Sequence, residues 1–208
     1  MEKTDVEPQH AADTEYTISD RAIASVDEML EKDKDDESLR RYKANLLGAA
    51  AQGDLGDTKD QRRVVVQQFK VIFEDHRQEI TYDLDTDDGL KHIRESPFVM
   101  EEGARYKFVI SFRVNREIVS GLRFKNKVRK NVFTARDEVV LGSYAPQSST
   151  YEFVFPRHEW SEAPSGLLYR GKYSAECKFV DSDNAEHLCF QYAFGMFNPL
   201  TSHALLIS

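Results

Sequence analysis

Carboxylates cluster at one place in the sequence with a spacing that could bind a metal ion. Residues 83–89 (DLDTDDG) put aspartates on alternate positions, and hard cations such as Ca²⁺ take several carboxylate oxygens. The register does not match a calcium-binding EF-hand loop, because Gly89 comes one position late and Arg94 stands where the loop needs glutamate. The segment therefore predicts a solvated acidic hairpin turn. A calcium-dependent membrane-binding β-sandwich that also uses Asp181 and Asp183 is kept as an alternative.

Residues for the common kinds of catalysis do not occur at the required spacing. The sequence has no dinucleotide-binding glycine motif, P-loop or nucleophile elbow. Its six histidines fall at no metal-ligand spacing, and Cys177 and Cys189 are twelve residues apart without paired histidines. We therefore expect no enzyme activity, no cofactor and no metal site, and we interpret both cysteines as reduced thiols.

A basic run follows a strand that is predicted to end near Leu122. Because no aromatic residues alternate with its charges, the run is weak evidence for nucleic-acid binding. A solvated face or a docking site for acids explains it equally well, and no nucleic-acid partner is expected. The run consists of Arg123, Lys125, Lys127, Arg129 and Lys130.

Aromatic residues are plentiful for a chain of 208 residues, with thirteen Phe, nine Tyr and one Trp. The simplest interpretation is that these rings fill a core. If two sheets separate at one end, however, the rings could line an apolar slot for a hydrocarbon ligand.

The negative charge is confined to one part of the chain. Residues 1–60 hold 16 acidic and 8 basic residues, which accounts for the whole net charge of −8, so residues 61–208 are formally neutral. This asymmetry predicts an acidic arm attached to a domain. A protein that binds nucleic acid through phosphate contacts would show the opposite bias.

The acidic arm contains two helical patterns. Residues 1–18 lack a period and predict disorder, and Ser19 can cap a stretch with apolar residues at three- and four-residue spacing. A second apolar stripe ends at Gly48, which gives a helix-loop-helix at about 19–48 followed by a linker over 48–62. Two such short helices are marginal alone, so they pack either on their own domain or on a partner.

The rest of the chain alternates apolar and polar residues with a period of two, which is typical of β-strands. Several short strands separated by turn signals predict a mainly β fold, an immunoglobulin-like antiparallel β-sandwich with a flexible N-terminal helical arm. The alternation covers 69–73, 80–84, 106–114, 151–155, 173–179 and 188–196.

Several long strings resemble the Rho GDP-dissociation inhibitor family over roughly residues 25–196. They are KDKDDESLRRYKANLLG at 32–48, ISFRVNREIVSG at 110–121, GSYAP at 142–146, YEF at 151–153 and EAPSGLLYRGKY at 162–173. The resemblance implies a regulatory arm over 1–60 and a prenyl-binding sandwich over 61–208. In that family the arm contacts the switch regions of a Rho-type GTPase, and the sandwich holds its geranylgeranyl group.

The resemblance also implies individual site residues. A phosphorylation site is implied at Ser25. The chain departs from the family at Phe190 and Tyr192, where tryptophans are usual, and at Val128, where an aromatic is common, so we expect a differently shaped slot. The implied switch contacts are Asp36, Leu39, Tyr42, Leu46 and Asp183. The implied isoprenoid pocket consists of Val71, Phe98, Tyr106, Ile118, Leu122, Phe190, Tyr192 and Phe194.

The function implied is that of a Rho GDP-dissociation inhibitor, which slows GDP release and extracts the GTPase from membranes. Its expected partners are GDP-bound, geranylgeranylated Rho or Rac-type GTPases, bound by a cytoplasmic monomer as a 1:1 heterodimer. The chain shows no signal peptide, membrane span or lipidation motif, so stable membrane insertion is not expected. A prenyl-binding chaperone that does not slow GDP release is the alternative.

Overall fold

Two five-stranded β-sheets pack face to face in the computed structural model, which describes residues 37, 38, 41 and 47–198. Their inward side chains form one large hydrophobic core. The described elements are a 3-10 helix at Gly48–Gln52, β1 (Val64–Phe73), β2 (Ile80–Asp83), α1 (Asp87–Glu95), β3 (Phe98–Glu101), β4 (Arg105–Val114), β5 (Val119–Lys130), β6 (Phe133–Tyr144), β7 (Gln147–Phe155), β8 (Ser161–Glu162), β9 (Gly171–Val180) and β10 (Glu186–Phe197).

The sheet topology confirms the predicted β-sandwich. The first sheet has the order β2-β1-β4-β7, with β8 also paired to β4. The second has the order β3-β10-β9-β5-β6. All pairs are antiparallel except β3 with β10, which run parallel.

The period-two pattern explains which side chains fill the core. On β4, Phe108, Ile110 and Phe112 point between the sheets, and on β9, Cys177 and Phe179 do the same. Alternation follows from the pleat of a strand, which sends successive side chains to opposite faces. Each fully buried side chain of this size contributes about 1.5–3 kcal/mol relative to exposure.

The acidic segment at 83–89 is not a hairpin turn, and the turn prediction for it is wrong. Thr86 caps helix α1, because its Oγ1 accepts the backbone N–H of Gly89 at 3.1 Å, and Asp87 and Asp88 occupy the first turn. A threonine cap and early acids satisfy and complement the free N–H groups of a helix start. The chain needs glycine here, since a Cβ at Gly89 would lie 2.0 Å from the Asp83 carbonyl oxygen.

The basic run does not follow a strand but continues one, so the predicted strand end near Leu122 is wrong. Strand β5 extends to Lys130, with Phe124 and Asn126 inward. Lys130 shares that inward face, whereas the other four basic side chains point outward. A register shift lies between Val119 and Leu122, and Gly121 has a φ of +56°. The alternation continues through Leu122, Phe124 and Asn126, but the basic residues between them hide it.

The segment predicted as a linker packs against the end of the sandwich opposite β3. Leu47 and Ala50 are buried in a small second cluster that also includes Ile118. Asp54 accepts hydrogen bonds from the backbone N–H and the hydroxyl of Ser148, at 2.9 and 2.6 Å.

Most of the predicted helix-loop-helix at 19–48 lies outside the described residues. Within the described part, no helix is long and apolar enough to cross a membrane.

Candidate functional site

An apolar cavity of about 690 Å³ opens at one end of the sandwich, between the two sheets. This volume lies within the range of small-molecule sites, which are about 300–1,000 Å³. The wall is formed by the start of β4, β6 and β9 and by the end of β5, β7 and β10. Its lining consists of Phe98, Met100, Tyr106, Phe108, Phe124, Asn126, Val128, Lys130, Asn131, Phe133, Ala135, Asp137, Phe155, Ser161, Pro164, Leu168, Tyr169, Tyr173, Tyr192, Phe194 and Met196.

Stacked rings from three adjacent strands form one wall of the cavity. Phe194 on β10 is in register with Phe98 on β3 and with Tyr173 on β9. Its ring stacks on Tyr173 at 4.7 Å and 5° and on Phe98 at 5.4 Å and 13°. Cross-strand neighbours on one face lie close enough for such ring contacts. The strand register therefore places a continuous aromatic surface along the cavity.

The opposite wall comes from the first sheet. Tyr106 and Phe108 on β4 meet edge to face at 5.3 Å, and Phe155 on β7 is in register with Phe108. Behind them, the fully buried ring of Phe69 stacks on Phe108 at 5.1 Å and lies 5.6 Å from Tyr192. These contacts close the cavity towards the core.

A small polar group lies at the floor of the cavity. The Asn126 Oδ1 accepts a hydrogen bond from the Cys177 thiol at 3.4 Å and a weak one from the Tyr192 hydroxyl at 3.5 Å. Burial raises the pKa of both Cys177 and Tyr192. Burial also raises the pKa of Tyr106, and the nearby charge of Asp137 adds to that effect. These thiol and phenol groups therefore stay neutral at physiological pH, as suits an apolar ligand.

Four of the eight predicted pocket residues lie together in this cavity: Phe98, Tyr106, Tyr192 and Phe194. The other four are elsewhere. Val71 and Leu122 are fully buried in the main core, as is Phe190, which packs on Phe69 at 5.8 Å. Ile118 packs in the second cluster with Leu47.

The sequence analysis missed much of the second sheet's contribution to the cavity. Phe124 on β5, Phe133 on β6 and Tyr173 on β9 line it, beside Val128, where the resemblance implied a change in the slot. The signal was present, since Phe124, Asn126 and Val128 alternate in the sequence. The basic residues between them make 123–130 look like a charge run and hide this alternation.

An acidic hairpin between β9 and β10 carries the predicted contact residue Asp183, which is exposed. Its neighbour Asp181 is 1% exposed and organises the turn. Asp181 Oδ1 accepts the backbone N–H groups of Asp183 and Ala185, each at 2.9 Å. Its Oδ2 accepts from His187 Nε2 at 2.9 Å and from the guanidinium of Arg63. The turn is thus fixed to β1 and β10.

Burial lowers the pKa of His187, although its hydrogen bond to Asp181 acts in the opposite direction. The imidazole is therefore neutral at neutral pH. Since a carboxylate only accepts hydrogen bonds, Nε2 carries the imidazole proton in this contact.

The predicted switch contacts in the arm lie outside the described residues. This applies to Asp36, Leu39, Tyr42 and Leu46, and also to Ser25.

Among the residues that the structure describes, no group of three or more His, Cys, Asp or Glu side chains could hold a metal ion. Two aspartates of the calcium alternative are already paired: Asp85 pairs with Arg62 at 2.8 Å, and Asp181 pairs with Arg63 and His187. Cys177 and Cys189 are both free.

A family model and several similar proteins point to the same family. The model of the family described as RHO protein GDP dissociation inhibitor matches residues 2–197. The chain is 41% identical to the putative rho GDP-dissociation inhibitor 1 of Dictyostelium discoideum, over 83% of this chain and 86% of that protein. It is 39% identical to the Rho GDP-dissociation inhibitor 1 of Homo sapiens, over 82% and 80%.

A third relative is the probable rho GDP-dissociation inhibitor of Caenorhabditis elegans, at 36% identity over 86% of this chain and 91% of that protein. Among solved structures, a Niemann-Pick type C2 protein from Japanese carpenter ant matches with a TM-score of 0.39 and 8% identity, over 64% of this chain and 93% of that one.

Proposed function

The chain belongs to the Rho GDP-dissociation inhibitor family, a family of regulators rather than enzymes, and from this premise we propose how it binds its GTPase. It acts in the cytoplasm as a non-enzymatic monomer that forms a 1:1 heterodimer with a GDP-bound, geranylgeranylated Rho-family GTPase. The observation that carries this proposal is the ring-lined cavity of about 690 Å³ at one end of the sandwich. The relatives' names do not favour a prenyl carrier that leaves GDP release unchanged.

The cavity supplies the chemistry that a lipid carrier needs. Each buried CH₂ group contributes about 0.8 kcal/mol, so a twenty-carbon isoprenoid partitions strongly into a bilayer. A soluble carrier must offer comparable apolar burial. Phe98, Tyr106, Tyr192 and Phe194 are the proposed isoprenoid contacts among the predicted residues, because all four line the cavity.

The acidic arm supplies the inhibition in this proposal. Asp36, Leu39, Tyr42 and Leu46 contact the switch regions, and Asp183 adds a contact from the hairpin. An arm that binds the closed, GDP-bound switch conformation more tightly than the open one slows nucleotide release. The excess negative charge of residues 1–60 supports a partner with a basic tail, whose attraction to anionic lipids is about 1 kcal/mol per basic residue.

The test incubates the full chain with membranes that carry a prenylated, GDP-loaded Rho or Rac-type GTPase and measures extraction and GDP release together. We expect extraction and slowed release. Asp36→Ala should weaken the inhibition of GDP release and leave binding of an isolated isoprenoid peptide intact. Extraction without slowed release would contradict the role of the arm, and failure of both would overturn the proposal.

A further inference from the structure

Two loops at the mouth of the cavity expose large apolar side chains to solvent. In the turn between β5 and β6, Val132 is 88% and Phe133 76% exposed. In the loop before β9, Leu167 is 79% and Leu168 87% exposed. Of the seven large hydrophobic residues exposed in the described part of the chain, five lie in these two loops. We call the side chains of Val132, Phe133, Leu167 and Leu168 the apolar rim.

The two loops form one surface rather than two separate tips. Lys130, at the end of β5, donates a hydrogen bond from Nζ to the carbonyl oxygen of Leu168. The same Nζ lies 5.3 Å from the centre of the Tyr173 ring, and the Tyr173 hydroxyl donates to the carbonyl oxygen of Tyr169 at 2.5 Å. Phe133 and Leu168 also line the cavity, so the rim is continuous with its entrance.

Folding does not explain the exposed rim. Val132 lies in a two-residue turn that joins the paired residues Lys130 and Phe133, and it is outside the hydrophobic core. Turn positions normally carry Gly, Asn, Asp or Ser, each for a conformational reason that valine does not meet. Contiguous exposed apolar surface of this kind marks an interaction site.

Basic side chains predominate around the rim, although Asp137 lines the cavity inside it. Residues 127–136 and 164–172 together contain six Lys and Arg and no acidic residue. Within residues 37, 38, 41 and 47–198, the structure pairs Lys127, Arg129 and Arg136 with no carboxylate. Arg123 and Lys125, which lie on β5 farther from the rim, both pair with Glu138 on β6. The free cations therefore lie beside the rim, not along the whole strand.

We propose that this end of the sandwich docks directly on an anionic membrane surface, with the apolar rim inserted at the boundary between headgroups and acyl chains. The proposal rests on the lipid-carrier function, because docking there would place the cavity entrance against the bilayer that releases the isoprenoid. Apolar side chains flanked by unpaired cations are the combination that binds an anionic interface. A protein partner of similar apolar character would not require the free cations.

The contact is weak and reversible. Three unpaired bases near an anionic surface strengthen binding on the order of a hundredfold relative to a neutral surface. Four exposed side chains bury far less apolar surface than a lipid anchor or a membrane-spanning helix, so the protein returns to solution after loading.

The test measures flotation of the full chain alone with vesicles of phosphatidylcholine, with and without phosphatidylserine, in the presence of a calcium chelator. We expect binding only to the vesicles with phosphatidylserine. Arg129→Glu with Arg136→Glu removes two bases and should reduce this binding by about thirtyfold or more. Val132→Ser with Leu167→Ser, neither of which lines the cavity, should reduce it as well.

Matched controls separate this surface from general charge and hydrophobicity. Val140→Ser changes an exposed apolar residue on β6 outside the rim, and Lys59→Glu reverses a charge in the segment at the other end of the sandwich. Both should bind vesicles like the unmodified protein. Equal binding to neutral and anionic vesicles, or binding that the two double variants leave unchanged, would overturn the proposal.

A second measurement keeps this proposal distinct from the function on which it rests. Both double variants should bind a prenylated GTPase in solution with unchanged affinity but extract it from membranes more slowly. If the unmodified protein fails to bind the prenylated GTPase in solution, the proposed function fails. If it binds in solution and the variants extract at the normal rate, only the docking surface is refuted.

Discussion

Replacing Asp181 by alanine should disturb the acidic hairpin without touching the exposed contact residue on it. The buried carboxylate accepts four hydrogen bonds: two from backbone N–H groups of the turn, one from His187 and one from Arg63. The side chain of Asp181 is 2% exposed, so water does not replace these bonds in the folded state. Asp181→Ala therefore leaves two backbone N–H groups and the His187 imidazole without their acceptor. Arg63 is 22% exposed and keeps Glu117 at 3.7 Å.

The expected cost follows from that geometry. A buried donor left without its acceptor costs about 1–3 kcal/mol, so the loss at two backbone N–H groups and at His187 should cost about 3–5 kcal/mol in total. For a chain of this size, each kcal/mol lowers the melting temperature by about 2–4 °C. Asp181→Ala should therefore lower the melting temperature by roughly 6–20 °C. Asp181→Asn should cost less, because the amide oxygen can still accept from the turn.

Urea unfolding gives the free energy directly, and Asp183→Ala is the matched control on the same turn. Because Asp183 is exposed, its replacement should leave the free energy of unfolding within about 0.5 kcal/mol and weaken only the GTPase complex. Asp181→Ala should weaken both. A loss below about 1 kcal/mol for Asp181→Ala would show that its contacts do not hold the hairpin and would refute this reasoning.

Three further predictions concern the cavity, pH and the arm. Val128→Trp should fill part of the cavity and displace about three carbons of ligand, which weakens binding of a geranylgeranyl peptide about sixtyfold by fluorescence titration, while a change below threefold would contradict the assignment. Because burial lowers the pKa of His187, the unfolded chain protonates first and the free energy of unfolding falls as the pH drops below about 6.5. His187→Gln should abolish that loss in urea titrations, and an unchanged pH slope would argue against it. Ser25→Glu adds negative charge to an acidic arm and should lower GTPase affinity relative to Ser25→Ala, whereas equal affinities would exclude this regulation.

The sequence by itself determined the strands whose alternation is regular and the uneven charge of the chain. Residues 106–114 alternate without interruption, so they predict β4 with its buried side chains. The same local rule failed in two places. At residues 123–130 a run of basic residues hides the alternation that continues β5, and at Thr86 the cap begins a helix where a cluster of aspartates favours a turn.

Only the tertiary structure decided which rings form the cavity and which fill the core. Phe190 and Phe194 lie on the same face of β10, yet one is packed among Phe69 and Tyr192 and the other faces the cavity. Alternation tells which face of a strand is apolar, but it does not tell where along the strand the two sheets separate. That separation, and the meeting of two exposed loops beside it, depends on the packing of strands distant in sequence.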